Sequence, residues 1–315
     1  MRVLVTGGDG FIGRHLRSSL SMSGIECRIA ARTNSGGVGS DRFVVGELGP
    51  QTDWSAALEG VDVVVHLAAR AHILRESAKD PRAEFMRVNA VATQQLANSA
   101  ASAGVRRIVY ISSIGVLGNS TDTEPFHADS SVRPHNAYAE SKLAGELAAQ
   151  ASSSSSLSVV VVRLPLVYGS GVKANFLRLL RWVDRGWPIP LGAVSNKRSL
   201  LSVWNLCDLL RNVLDNPNAA GKPWLVADGE DLSTPDLIRR IGRAMHRRVL
   251  LPAVPQRALK LLGSITGKTA QLEQLCGSLV LDTKSTRDLL QWSPPFSLDE
   301  SLERTVRWYL QDART

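Results

Sequence analysis

A chain of 315 residues, 44% of them hydrophobic, holds enough apolar material to bury a sizeable core, as one large domain or two unequal parts. Its three cysteines, Cys27, Cys207 and Cys276, lie far apart without metal-ligand spacing, which argues against a disulfide framework or a metal site and suits a reducing cytoplasm. A formal net charge of +8 calls for an anionic partner, but the cations are spread over many helical stretches and not gathered with aromatics, so no nucleic acid is expected. No apolar run approaches the roughly 18 residues of a membrane span and the first core strand begins at Val3, so a soluble protein without an integral membrane segment is expected.

The chain opens on Val3-Leu4-Val5-Thr6-Gly7-Gly8-Asp9-Gly10-Phe11-Ile12-Gly13, an apolar run followed by glycines three apart. It reads as a buried parallel strand, a tight turn and a helix from about Ile12 to Ser23. Bare backbone at Gly7 and Gly10 would let a pyrophosphate approach the helix N-terminus, and Gly13 would let the helix pack close to the strand. Cys27 to Ala31 reads as a second strand. It ends in Arg32, where a dinucleotide fold often carries an acidic residue on the adenosine ribose; an arginine there accommodates a 2′-phosphate and favours NADP(H) over NAD(H), unless it is only an exposed strand-end cation.

Phe43 to Val45 forms a short third strand leading to Glu47 and Leu48, where the adenine would lie, and Trp54 to Leu58 a short helix. Val61 to Ala69 is a buried strand whose small terminal residues, after Leu67, are Ala68 and Ala69; these keep open the crevice that ligands enter in such sheets. His66 and His72 read more simply as buried structural histidines than as catalysts. Glu84 to Ala103 has helical periodicity, with Phe85, Val88, Val91, Leu96 and Ala100 on its apolar face and Asn89 inside it, and Gly104 ends it. Val105 to Ile111 is the next strand, and Ser112-Ser113 follow at its carboxyl end, over the crevice.

After a polar loop and Pro134 comes a helix carrying Tyr138-Ala139-Glu140-Ser141-Lys142. The four-residue spacing sets phenol and ammonium one turn apart on one face, where the ammonium is expected to lower the tyrosine pKa towards that of a working acid/base. A serine run, Ser152 to Ser156, loops to the buried strand Val159 to Leu164, closed by Pro165. Six β/α repeats in a row imply a doubly wound parallel sheet with right-handed crossovers.

From Gly169 the rhythm breaks. Asn175 to Trp182, Leu206 to Leu214, Pro235 to Met245, Ser285 to Leu290 and Leu298 to Leu310 read as helices, with an irregular connection at Gly186 to Gly192. The cations Arg239, Arg240, Arg243, Arg247 and Arg248 face away from Leu237, Ile238, Ile241 and Met245, as a solvated helix face or a peripheral contact with an anionic membrane. Leu250 to Ile265 is expected to be a packed helix. The division expected is a dinucleotide-binding domain at 1–168 and 199–220 and a smaller, mostly helical substrate-binding domain at 169–198 and 221–315.

Thr-Gly-x-x-Gly-x-x-Gly at Gly7, Gly10 and Gly13, the strand ending Leu67-Ala68-Ala69, Ser112-Ser113, Tyr138-x-x-x-Lys142 and Arg163-x-Pro165-x-Val167-Tyr168-Gly169 together resemble the extended short-chain dehydrogenase/reductases, over almost the whole chain. Within that family the chain is similar to enzymes acting at C4 of UDP-hexoses. The resemblance implies that Tyr138 is the acid/base, that Lys142 binds the nicotinamide ribose and tunes the tyrosine, and that Ser113 bonds the sugar O4. It also implies that Asn175 and Arg198 contact the substrate diphosphate, that Asn89, Arg163 and Pro165 lie on the cofactor side, and that the protein is a homodimer. Arg32 and the short second part are similar to bacterial reductases of UDP-2-acetamido-2,6-dideoxy-4-ketohexoses. The alternatives are a UDP-hexose 4-epimerase with bound NAD, an epimerase of a lipid-diphosphate sugar, and an NADP sensor without catalysis.

Overall fold

The computed structural model describes residues 1–33, 41–71, 78–255, 257–258 and 275–313. The opening run forms β1 (Arg2–Thr6) and α1 (Phe11–Met22), followed by β2 (Glu26–Ala31), β3 (Arg42–Val44), α2 (Ser55–Leu58) and β4 (Val63–His66). Then come α3 (Pro81–Met86), a π turn (Arg87–Val91), α4 (Ala92–Ser102), β5 (Arg107–Ser113), α5 (Ala137–Ala151) and β6 (Ser158–Leu164). Their strands join a seven-stranded sheet in the order β3-β2-β1-β4-β5-β6-β9, with β9 at Pro223–Leu225. Every pairing in it is parallel. This is the expected doubly wound α/β sheet of Rossmann type. Chain order reverses between β1 and β4, which opens a crevice beyond their carboxyl ends.

Alternate side chains of these strands feed two layers. Val3, Val5, Val65 and Val162 pack with Leu16 and Leu20 of α1 and with Leu206 and Leu210 of α7 (Val203–Asn212). On the opposite face Leu4, Val64 and Ile108 pack with Leu96, Ala97 and Ala100 of α4. A second core joins Phe176 and Leu180 of α6 (Ala174–Asp184), Ile238 and Ile241 of α8 (Thr234–Ala244), and Leu302 and Val306 of α10 (Leu298–Trp308). α9 (Lys284–Leu290) sets Leu290 against the first core.

Several expectations are corrected. β9 places residues 223–225 in the main sheet, just past the boundary expected at 220, because Trp224 and Leu225 are buried and pair with β6. A second, small sheet pairs β7 (Leu166–Tyr168), β8 (Arg198–Ser202) and β10 (Asp231–Leu232) in the order β10-β8-β7, so two strands that lie, but for Arg198, within the bounds expected for the dinucleotide-binding domain pair outside the main sheet. The single helix expected at Glu84 to Ala103 is interrupted by the π turn, which inserts an extra residue and shifts the apolar phase, so that Val91 is 44% exposed while Leu96 and Ala100 stay buried. Leu250 to Pro255 is not helical, since Pro252 and Pro255 lack an N–H and bar their predecessors from helical geometry. The Leu250 and Pro252 carbonyls instead accept from Ile189 and Gly192. Apart from Arg257 and Ala258, the rest of that stretch and His72 lie outside the described residues.

A buried polar knot ties the two cores together. Asp228 accepts from Tyr168 Oη of β7 at 2.8 Å, from the Ser202 amide at 2.9 and 3.0 Å, and from Asn205 Nδ2 of α7 at 2.7 Å. Among the described residues no helix is long and apolar enough to cross a membrane.

Candidate active site

The glycine turn is built for a close anionic group. Gly7 has φ +69° and a Cβ there would lie 2.9 Å from the Ala68 amide nitrogen, so the position excludes a side chain twice over. A Cβ on Gly13 would overlap Gly7 O and Gly8 Cα, so α1 approaches the turn only because that residue is bare. Gly10 is the N-cap of α1 and supplies no side-chain cap, which leaves the first amides of the helix for a ligand. Phe11 and Ile12 follow half-buried, and Leu67, Ala68 and Ala69 line the adjacent end of β4, also half-buried. Open amides, a bare turn and small side chains at the switch point fit a dinucleotide pyrophosphate.

The adenosine side departs from simple expectation. Arg32 follows β2 and is exposed, and no carboxylate stands beside it in the chain. Arg42, which the sequence did not single out, reaches back to the glycine turn and binds Asp9 through contacts of 2.6 and 3.0 Å. This pairing holds the Asp9 carboxyl below its ordinary range. Glu47 is exposed and Leu48 half-buried, with the Leu48 carbonyl accepting from Arg87 Nη1 at 2.8 Å.

β5 and α5 carry the three side chains expected to react. Ser113 ends β5, and its Oγ accepts from the Gly115 amide at 3.1 Å as a one-turn 3-10 helix begins. α5 starts at an Asn136 N-cap whose Oδ1 accepts from the Ala139 amide at 2.8 Å, which fixes Tyr138 in the first turn. Tyr138 is half-buried, with the Ser113 hydroxyl near enough to favour its phenolate, and edge-on to Phe85 with centroids 6.1 Å apart. Lys142 is 2% exposed one turn later, its Nζ 4.1 Å from the centroid of the Tyr110 ring.

Their electrostatics correct the sequence reading. Burial raises the Tyr138 pKa, and the influence of the Ser113 hydroxyl offsets only part of that. Burial also pushes Lys142 down to about 7, against an upward pull from Glu146. Its charge at neutral pH is thus partial, and Lys142 does not by itself lower the tyrosine as expected. Glu146, one turn beyond Lys142, is held by Arg163 in a buried two-bond ion pair of 3.0 and 2.8 Å. The i,i+4 spacing from Lys142 was the available signal for Glu146.

Arg163, expected on the cofactor side, therefore serves this pair. Asn89 is 1% exposed and turned inward: its Oδ1 accepts from the Arg70 amide at 2.8 Å, and its Nδ2 donates to the Arg70 carbonyl at 3.1 Å and to Ser141 Oγ at 2.9 Å. Pro165 is buried between β6 and β7. Asn175 is exposed in the first turn of α6, next to Ala174 with φ +53°. Arg198 opens β8 half-buried, with Nη1 donating to the Gly277 carbonyl at 3.0 Å. Among the described residues no group of three His, Cys, Asp or Glu could hold a metal.

Residues 3–227 match the model of the NAD dependent epimerase/dehydratase family. The chain is 37% identical over 313 residues to a UDP-glucose 4-epimerase of Vibrio cholerae, covering 98% of this chain and 95% of that protein. It is 31% identical to a dTDP-glucose 4,6-dehydratase of Streptomyces niveus, covering 98% and 93%. Among solved structures it resembles MoeE5 in complex with UDP-glucuronic acid and NAD, with a TM-score of 0.78 at 25% identity over 99% of both chains. Glycine turn, switch-point crevice, Ser113–Tyr138–Lys142 constellation and full-length similarity agree: the chain belongs to the NAD dependent epimerase/dehydratase family, the extended short-chain dehydrogenase/reductases.

Proposed function

We propose that the protein is an NAD(P)(H)-dependent oxidoreductase acting at C4 of a UDP-sugar, and specifically a 4-ketoreductase of a UDP-2-acetamido-2,6-dideoxy-4-ketohexose in surface-polysaccharide synthesis. The observation that carries the reading is the Ser113–Tyr138–Lys142 constellation at the carboxyl end of β5, beside a glycine turn with an uncapped helix N-terminus. When bound, the nicotinamide supplies the hydride at C4. Tyr138, raised by burial and thus protonated at neutral pH, gives its proton to the developing O4 oxyanion. The Ser113 hydroxyl bonds the same oxygen and aligns it with the phenol. Lys142 meets the nicotinamide ribose and restores the proton to the tyrosine. Asn175 and Arg198 receive the diphosphate.

The exposed Arg32, with no carboxylate at that place, supports NADP(H) as the cofactor. The same reading places the protein in the cytoplasm as a homodimer. A second reading, a UDP-hexose 4-epimerase with retained NAD, is favoured by the similarity to the Vibrio cholerae protein of that name. In it Tyr138 first removes the O4 proton and later returns it.

Purified protein mixed with NADPH and the freshly made 4-ketosugar separates the two. Stoichiometric loss of nicotinamide absorbance establishes the reductase. No oxidation, with NAD recovered from the protein and interconversion of UDP-glucose and UDP-galactose, replaces it with the epimerase.

A further inference from the structure

His66 is the last residue of β4 and only 1% exposed, so it cannot meet a substrate. Its two ring nitrogens bridge separate elements: Nδ1 lies 2.7 Å from Thr6 Oγ1 of β1, and Nε2 lies 3.0 Å from Thr93 Oγ1 of α4. The direction of every bond follows from the ends. Thr93 Oγ1 donates its proton to the Asn89 carbonyl at 2.9 Å, so towards His66 it can only accept. Nε2 therefore carries the hydrogen, and Nδ1 accepts from Thr6 Oγ1, whose oxygen accepts in turn from the Ala68 amide at 3.1 Å.

The chain continues on the far side. The Asn89 side chain binds the Arg70 backbone and Ser141, and Ser141 Oγ donates to the Tyr138 carbonyl at 2.7 Å. Asn89 sits in the π turn, and a Cβ on Gly145 would overlap the Asn89 carbonyl and Tyr110 Oη, so the bare glycine is what lets α5 rest on this network. Thr6 immediately precedes Gly7. The bonds thus run without a gap from the residue at the dinucleotide turn to the residue whose phenol faces the sugar.

We propose that His66 is a positioning residue that, as the neutral Nε2–H tautomer, ties the glycine turn to the helix carrying Tyr138 and so sets the nicotinamide and the phenol in register. The proposal rests on the reading of Tyr138 as the acid/base. A second ring proton would put an N–H against Thr6 Oγ1 and displace its donation, reversing one link of the chain. The surroundings oppose that proton: burial, and then the Lys142 charge, push His66 down to about 3, and the nearest ring, Tyr110, stands 5.7 Å away and stays neutral because burial raises its pKa well above the ordinary value.

Two measurements test it. In the full-length protein with 15N-labelled histidine, the His66 resonances, identified among the six histidines by their loss in His66→Phe, should show a hydrogen on Nε2 and no titration from pH 5 to 8. A ring that titrates near 6.5, or that carries its hydrogen on Nδ1, overturns the proposal. In His66→Phe, which keeps the ring's bulk and removes both bonds, the dinucleotide dissociation constant read by tryptophan fluorescence should stay within about threefold, while kcat falls on the order of 10- to 100-fold from misalignment. His66→Gln, which can restore one donor to Thr93, should recover part of that loss. A folded His66→Phe protein with unchanged kcat sinks the positioning role and reduces His66 to packing. Absence of turnover in the wild type with any UDP-sugar would instead count against the proposed reaction, and the tautomer measurement would still decide the network.

Discussion

Tyr138 and Lys142 are shifted in opposite senses by the same cause, burial at the start of α5. Tyr138→Phe keeps the ring and removes the proton that the proposed reaction moves. Turnover should fall about 10²- to 10⁴-fold while dinucleotide binding persists, measured by steady-state kinetics beside a fluorescence titration. Lys142 makes a separate prediction about stability. Between about 7 and the ordinary 10.5 the unfolded chain holds a proton on this residue that the folded chain does not. Unfolded protein binds more protons there, so this residue's contribution makes stability rise with pH across that window. Urea unfolding should show a gain from pH 7 to pH 9 that Lys142→Met lacks.

At the level of elements, the decisive contact is α5 against the π turn. Gly145 lies against Asn89 O and Tyr110 Oη with no room for a methyl group, and Tyr110 Oη donates to the Lys142 carbonyl at 3.3 Å. Gly145→Ala gains helix propensity but must push α5 off its seat. We expect a net loss of about 1–3 kcal/mol in urea unfolding, with reduced kcat because Tyr138 and Lys142 ride on the displaced helix. The periodicity of residues 84–103 was readable as helix, and the apolar positions Leu96 and Ala100 were placed correctly. The π turn was not readable. Its extra residue costs nothing in composition, and it is held by partners 52 residues away in the chain, as Asn89 to Ser141 demonstrates.

Across the whole molecule, Asp228 joins what the chain separates: β7, α7 and the segment after β9 meet on one carboxylate. Asp228→Ala leaves the Ser202 amide, Asn205 Nδ2 and the Tyr168 hydroxyl without this acceptor. It should cost at least ~2 kcal/mol, read as a lower midpoint in thermal or urea unfolding. Under the proposed function, which gives the diphosphate to Arg198 of β8 and Asn175 of α6, the effect should also appear as weaker UDP-sugar binding.

The sequence alone determined the parallel sheet and the glycine turn, and it singled out Ser113, Tyr138 and Lys142 as the proposed constellation. Their local parts, a continuous apolar run, glycines three apart, and a phenol and ammonium one helical turn apart, are each visible within about a dozen residues, and Ser113 adds the end of the preceding strand. Tertiary structure alone decided what the buried polar residues do. Asp9 with Arg42, Glu146 with Arg163, His66 between Thr6 and Thr93, and Asn89 against Ser141 are pairings between elements, and no pattern of spacing encodes them. It also decided the two pKa shifts at the site. The strength of a charge–charge effect depends on how far burial removes water from both groups, which spacing cannot reveal.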